Sequence, residues 1–164
     1  MGDPVTTEPA FALPARAGED GDGNWRRHNL GRLLNEAVHR FESRVLALLA
    51  EQGFGEVRLA HIGVTRNLDV GGTRATELAQ RASMTKQAMG ELIQQCVALG
   101  LVRRELDPAD RRAKIVRFTD HGLHFLDMFR RAVATAQAEL GERLGEGRLQ
   151  ALLDTLWDYS HPQG

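Results

Sequence analysis

The chain has 164 residues, with 21 Lys+Arg against 22 Asp+Glu for a formal net charge of −1, and a single cysteine. That length suits one ordinary domain, or a small domain with an oligomerisation element attached, and one cysteine excludes a disulfide framework or a multi-cysteine zinc module. No apolar run approaches the ~18 residues of a membrane span, and the absence of positive charge ahead of the Phe11–Leu13 patch argues for a cytoplasmic protein without a secretory signal.

Residues 1–24 combine Pro4, Pro9 and Pro14 with five acids and one base, net −4, and read as a disordered acidic tail. From Trp25 to Asp107 no proline interrupts the chain. Leu30, Leu33, Leu34, Ala37, Val38, Phe41, Val45, Leu48 and Leu49 follow the i, i+3, i+4, i+7 spacing of a long amphipathic helix, stopped by Gly53-Phe54-Gly55. A shorter helix is expected from about Glu56 to Asn67, closed by Gly71-Gly72.

Thr73 suits the N-cap of a two-turn helix ending near Ala82, with Leu78 and Ala79 facing the core. Ser83 or Thr85 then caps a second helix, whose apolar face holds Ala88, Met89, Leu92, Ile93, Cys96 and Leu99, and Gly100 supplies a left-handed stop. Two helices joined by a tight turn, the second one longer, form a helix-turn-helix. Past Gly100 the period changes. Leu101–Leu106 and Lys114–Phe118 read as two strands around the turn Asp107–Ala113, a hairpin with a cationic tip. A hairpin set directly after a helix-turn-helix makes a winged helix.

Thr119 caps a further long helix over about Asp120–Leu140, and Gly141 and Gly145 precede a last helix bearing Leu149, Leu152, Leu153, Leu156 and Trp157. One small winged helix cannot bury so much apolar surface at both ends, so a two-fold dimer is expected. The fold class is mainly α with a little β: a winged helix-turn-helix with a two-stranded wing and long terminal dimerisation helices. Charge follows the same division. Residues 74–117 carry nine basic and five acidic residues, net +4, whereas residues 118–164 carry net −3. The basic block is a candidate polyanion surface, and the acidic ends would oppose its indiscriminate use.

Four segments together resemble the MarR family of winged helix-turn-helix transcriptional regulators. They are Gly72-Thr-Arg-Ala-Thr-Glu-Leu-Ala79, Met84-Thr-Lys-Gln-Ala-Met-Gly-Glu-Leu92, Leu99-Gly-Leu-Val-Arg-Arg104, and Asp107-Pro-Ala-Asp-Arg-Arg-Ala-Lys-Ile-Val-Arg-Phe-Thr-Asp-His-Gly122. The resemblance spans roughly Leu30 to Trp157. It implies a homodimeric repressor of a pseudo-palindromic operator, with dimerisation helices at 25–53 and 119–160, a DNA-binding lobe at 56–118, and a small-molecule effector that modulates DNA affinity. Two departures stand out: Asp110-Arg111-Arg112 where the family often has Asp-Gly-Arg, and Cys96 where it usually has Leu.

On that reading the recognition helix presents Thr85, Lys86 and Gln87 to the major groove, where Gln suits adenine and Lys suits guanine or phosphate. Arg112 is aimed at the minor groove, oriented by Asp110 through a charge-assisted hydrogen bond. Arg111 and Lys114 add charge at the wing, and Arg74 and Arg103 are candidate phosphate contacts. Gly90 lies on the outer side of the recognition helix, at a cost of roughly 0.8–1.0 kcal/mol relative to Ala. Trp25, His28, His39 and His61 are candidates for an effector pocket between the dimer helices and the DNA lobe.

Cys96 reads as an inert buried thiol rather than a redox switch. His121 and His124 do not by themselves make a metal site. No Ser/His/Asp order, phosphate-cradling glycine loop or HExxH motif occurs, so neither an enzyme nor a cofactor is expected. The competing reading is a winged-helix dimer that serves as a protein-interaction module without binding DNA.

Overall fold

In a computed structural model of the chain, residues 29–107 and 113–161 are described. They belong to two units, Met1–Glu36 and Ala37–Gly164. The acidic tail 1–24, Trp25, His28 and the wing-tip residues Asp110, Arg111 and Arg112 lie outside the described residues.

The first unit contributes the opening turns of α1 (Leu30–Leu49). The Asn29 side-chain carbonyl accepts from the Arg32 backbone N–H at 3.0 Å, and Arg32 Nε meets Glu36 Oε1 at 2.8 Å. In the second unit α1 buries Val45 and Leu49. The helix does not run on regularly to residue 53. Gly53 sits at φ 88°, outside the helical region, and Ala50–Phe54 open into a wider π-type turn. That turn drops the Phe54 ring into the core, edge-on to Phe125 at 5.3 Å and stacked on His121 at 5.1 Å.

The elements of the winged helix follow. Helix α2 (Leu59–Asn67) buries His61, Ile62, Val64 and Thr65. Thr73, expected to cap a helix, instead lies in a two-residue strand, β1 (Thr73–Arg74). Gly72, at φ +96°, turns the chain into this strand, and the Thr73 hydroxyl donates to Asp69 Oδ2 at 3.1 Å. Helices α3 (Ala75–Arg81) and α4 (Lys86–Ala98) come next, then β2 (Val102–Leu106) and β3 (Lys114–Phe118). The sheet has order β1-β3-β2, with Thr73 opposite Val116 and Arg104 also opposite Val116 from the other side. The expected two-stranded wing is therefore backed by a third strand. Pairing with β1 puts β3 in the middle of the sheet and gives the hairpin the support that two strands alone lack.

Helix α5 (Asp120–Leu144) is capped by Thr119, whose hydroxyl accepts from the Gly122 N–H at 2.9 Å. It passes straight through Gly141 rather than breaking there. A Cβ at Gly141 would lie 2.7 Å from Glu146 Oε1 and 3.2 Å from Leu149 Cδ2, so this glycine admits the close crossing of α6 (Glu146–Ser160). The break comes at Gly145, φ 85°. Between α1 and α5, Arg44 holds Glu139 with two hydrogen bonds of 2.8 and 2.7 Å. The Arg44 hydrogen bond holds the Glu139 carboxyl below its ordinary range. This contribution is present above the ordinary Glu range and fades as pH falls through the lowered value.

One continuous core, including Leu49, Leu78, Met89, Ile93, Leu101 and Phe125, joins the helix-turn-helix to the sheet and α5. Cys96 is fully buried within it, and burial pushes its thiol up to about 11. At neutral pH it stays protonated, as expected of an inert thiol. The tightest point of the core is Gly122, where an added Cβ would fall 1.8 Å from the Leu101 carbonyl oxygen. The obstacle is backbone, not a flexible side chain. Gly122→Ala is therefore expected to cost about 3 kcal/mol, the upper end of ordinary overpacking. Denaturant unfolding measures this, and a loss under about 1 kcal/mol would show that the junction can yield.

Candidate nucleic-acid interface

The turn between α3 and α4 is fastened by its own backbone. Ala82 N donates to Leu78 O at 3.0 Å, Ser83 N to Gln80 O at 3.1 Å and Met84 N to Ala79 O at 2.8 Å. Ser83 takes a left-handed φ of 52°, which re-aims the chain for the next helix. Of the two candidate caps it is Thr85 that serves, its hydroxyl accepting from Ala88 N at 3.1 Å. An N-cap of this kind is worth about 1 kcal/mol. It fixes where α4 begins and so which residues its first turn displays.

Helix α4 has two distinct sides. Met89, Ile93 and Cys96 are buried, whereas Thr85, Lys86, Gln87, Glu91 and Gln94 are exposed. Gln87 Nε2 donates to Glu91 Oε1 at 3.3 Å, which leaves its amide oxygen turned away from the acid. Lys86 has no ion pair among the described residues. At Gly90 an added Cβ would meet nothing within 4 Å, so no neighbour inside the protein requires a glycine there.

The sheet distributes its arginines by face. Arg103 and Arg117 are cross-strand partners, and both meet Glu105, Arg103 Nε at 2.5 Å and Arg117 Nε at 3.1 Å. The hydrogen bond from Arg103, more than the nearby charges, holds the Glu105 carboxyl below the usual range. Arg103 also donates to the Phe118 carbonyl at 3.0 Å. Arg74 pairs with the buried Asp107, Nη2 to Oδ2 at 2.6 Å. Arg81 spans Asp69 at 2.9 Å and Glu77 at 2.6 Å, and ties the end of α3 to the loop before β1. Arg104 differs from all of these. It reaches across to α4 and donates from Nη2 to the Gly90 carbonyl at 2.9 Å.

The sequence-predicted residues thus fall into three groups. Thr85, Lys86 and Gln87 come together on the exposed first turn of α4, and Lys114 is exposed at the start of β3. Arg74 and Arg103 are each ion-paired within the lobe. Asp110, Arg111 and Arg112 fall outside the described residues. Sequence reasoning missed Arg104, Glu91 and Gln94. A strict two-residue period along Leu101–Leu106 would have separated Arg104 from Arg103, because neighbouring strand residues point to opposite faces.

Of the proposed effector residues, Trp25 and His28 lie outside the described residues. His39 is exposed on α1. His61 is buried and both its ring nitrogens are engaged: Nδ1 accepts from the Arg58 N–H at 3.1 Å, and Nε2 faces Gln95 Oε1 at 2.9 Å. With Nδ1 accepting, the ring proton belongs on Nε2 and donates to the glutamine. That bonding ties the start of α2 to α4. An open cleft of about 250 Å³ lies elsewhere, lined by Leu48, Gln52, Met128, Arg131, Ala132 and Thr135. Among the described residues no three His, Cys, Asp or Glu side chains converge as metal ligands, and no helix is long and apolar enough to cross a membrane.

Comparison with known proteins meets this geometry at the same place. The MarR family model matches residues 59–113, the segment from α2 to the wing. No curated protein matches the chain. Among solved structures, the transcriptional repressor CouR bound to a 23-mer DNA duplex is 26% identical, with a TM-score of 0.63 over 88% of this chain and 100% of that one. The apo form of MarR from E. coli is 20% identical, with a TM-score of 0.65 over 82% and 98%. A Mycobacterium tuberculosis MarR family protein, Rv2887, in complex with p-aminosalicylic acid, is 23% identical, with a TM-score of 0.62 over 82% and 100%. With residues 59–113 matched by the family model and the described architecture shared with these structures, the chain has the winged helix-turn-helix fold of MarR family transcriptional regulators and is similar to them.

Proposed function

We propose that this protein is a homodimeric, sequence-specific DNA-binding transcriptional regulator, a repressor whose grip on DNA is loosened by a small-molecule effector. The observation that carries the reading is the outer face of α4. Thr85, Lys86 and Gln87 stand exposed on a turn rigidly capped and backed by Met89 and Ile93. A helix N-terminus that presents Lys and Gln in this way suits base edges in the major groove. Arg112, oriented by Asp110, then reaches the neighbouring minor groove, with Arg111 and Lys114 adding charge at the wing. Arg74 and Arg103 act as phosphate contacts of lesser weight, since each already faces a carboxylate.

Exposed apolar side chains support the dimer. Val38 on α1 is 52% exposed and Trp157 on α6 65%, with Leu30, Leu33, Leu152 and Leu153 also uncovered. Covering a large apolar side chain is worth about 1.5–3 kcal/mol, so a second copy would gain several such increments. Two recognition helices related by a two-fold axis would read half-sites about 10 base pairs apart. The effector reading is supported by relatives: Rv2887 is seen with p-aminosalicylic acid, and CouR from Rhodococcus jostii with p-coumaroyl-CoA. For an effector of this chain, His39, Trp25 and His28 remain candidates, while His61 is committed to its structural bonds.

A salt titration of binding to duplex DNA tests the reading. Log K is expected to fall steeply against log salt, by about 0.9 per phosphate neutralised. A flat dependence, or no binding at low salt, would favour a protein-interaction module instead. Arg112→Ala is expected to weaken specific binding at least about tenfold, or about 1.4 kcal/mol, with the dimer intact; unchanged affinity removes the wing from the site. Lys86 and Gln87 substitutions should alter base preference. Gly90 supplies an independent check. Gly90→Ala should raise stability by about 0.8–1.0 kcal/mol and lower DNA affinity, because the vacant space beside it is where a DNA backbone or base edge comes close. A stabilised variant with full affinity contradicts that close approach.

A further inference from the structure

We infer that Arg104 is a positioning residue that couples the wing to the recognition helix and, with its remaining N–H groups, holds a DNA phosphate between the two grooves those elements enter. The inference rests on the DNA-binding reading above and assigns a function to a residue outside its predicted contacts.

Arg74, Arg81, Arg103 and Arg117 each face at least one carboxylate within the lobe. Arg104 faces only the neutral carbonyl of Gly90, at 2.9 Å, and has no ion pair among the described residues. A guanidinium has five N–H donors in a planar fork, and one hydrogen bond to a carbonyl leaves most of them free. A helical carbonyl in turn keeps a second lone pair after its bond within the helix. The contact therefore costs α4 nothing, while a full positive charge stays exposed and uncompensated.

Position gives the charge its use. Arg104 lies on β2, at the edge of the sheet next to α4, and is exposed. If α4 enters the major groove and the wing tip the adjoining minor groove, the sugar–phosphate strand between those grooves must cross the α4–β2 junction. Arg104 occupies that junction. The residue whose carbonyl it holds, Gly90, has open space where a Cβ would stand. A phosphate diester suits the free edge of a guanidinium, which binds phosphate oxygens in a bidentate fork. Such a contact carries no base information and sets register. Here it would set the spacing between helix and wing on the duplex, because one side chain touches both the protein strut and the DNA strand.

The test uses the full-length protein and a short random-sequence duplex, so no operator need be known. Affinity is measured across a salt series for wild type, Arg104→Gln, Arg104→Met and Arg104→Lys, with melting temperature recorded for each. Either neutral variant that folds is expected to reduce the steepness of log K against log salt by about 0.9 for each protomer engaged. Arg104→Lys keeps the charge and is expected to keep the wild-type slope. A merely structural strut would shift melting temperature or the fraction of active protein and leave the slope unmoved. A steep wild-type slope unchanged in a folded neutral variant overturns this inference alone, as does a folded Arg104→Lys variant with the reduced slope. A flat wild-type slope overturns the DNA-binding reading and this inference with it.

Discussion

The structure depends on one close approach, at the point where the wing returns to the helices. Thr119 follows β3, and its backbone N–H donates to the Leu101 carbonyl at 3.1 Å, while its hydroxyl donates to the Gly100 carbonyl. The same hydroxyl oxygen accepts from Gly122 and starts α5. Gly100 and Leu101 are in turn the residues that end the recognition helix, with Leu101 N bonded to Cys96 O at 2.9 Å. The end of α4, the last strand of the wing and the first turn of α5 are thus joined within a few bonds. Only the missing Cβ at Gly122 allows α5 to sit this close to the Leu101 backbone. Any displacement of α5 must therefore be felt at α4, because a contact with no slack cannot absorb it.

Charge in the lobe is organised around that joint rather than spread evenly. The total of −1 conceals a basic block over residues 74–117, and within the block most arginines are internally neutralised. Glu105 serves both Arg103 and Arg117, and Asp107, itself buried, anchors Arg74. These pairs hold the sheet in shape and are weak attractors for a polyanion. Among the described residues the charges left over, Lys86, Arg104 and Lys114, stand at the start of α4, at its seam with β2 and at the start of β3. A surface with few uncompensated charges at defined points favours one docking register over many, which a uniform basic patch would not.

How much of this was legible in the sequence follows from which signals are periodic. The helix-turn-helix was readable because Leu78, Ala79, Met89, Ile93 and Cys96 repeat at helical spacing and are buried together. The caps at Thr85 and Thr119 and the left-handed Gly100 were readable because each is a local choice of residue. Strand β1 was not, since two residues have no period and Thr73 is as good a cap as it is a strand residue. Gly141 looked like a helix stop and is a crossing point, a difference settled by Leu149 eight residues later. The link from His61 to Gln95 bridges 34 residues and leaves no pattern in either segment. Arg104 was missed for a related reason. Two adjacent arginines look alike until the strand is recognised, and the alternation along β2 then sends one to Glu105 and the other to Gly90.

Helix α5 carries the constraint of this joint along its length. Its first turn is locked at Leu101, and it runs unbroken over 25 residues to Leu144. At about 1.5 Å per residue that is a rod of nearly 40 Å. Near its far end Glu139 is gripped by Arg44, and Gly141 is pressed against α6. A rod of that length converts a small tilt about one end into a larger displacement at the other. The open cleft beside Met128, Ala132 and Thr135 lies between those two fixed points, with Arg131 at its rim paired to Asp127. A group that wedged α5 away from Leu48 there would act on the middle of the rod. The rigid joint at Gly122 would deliver that movement to the recognition helix, whereas a compliant joint would dissipate it. The glycine that makes the fold possible is in this sense also the condition for any signal along α5 to reach DNA.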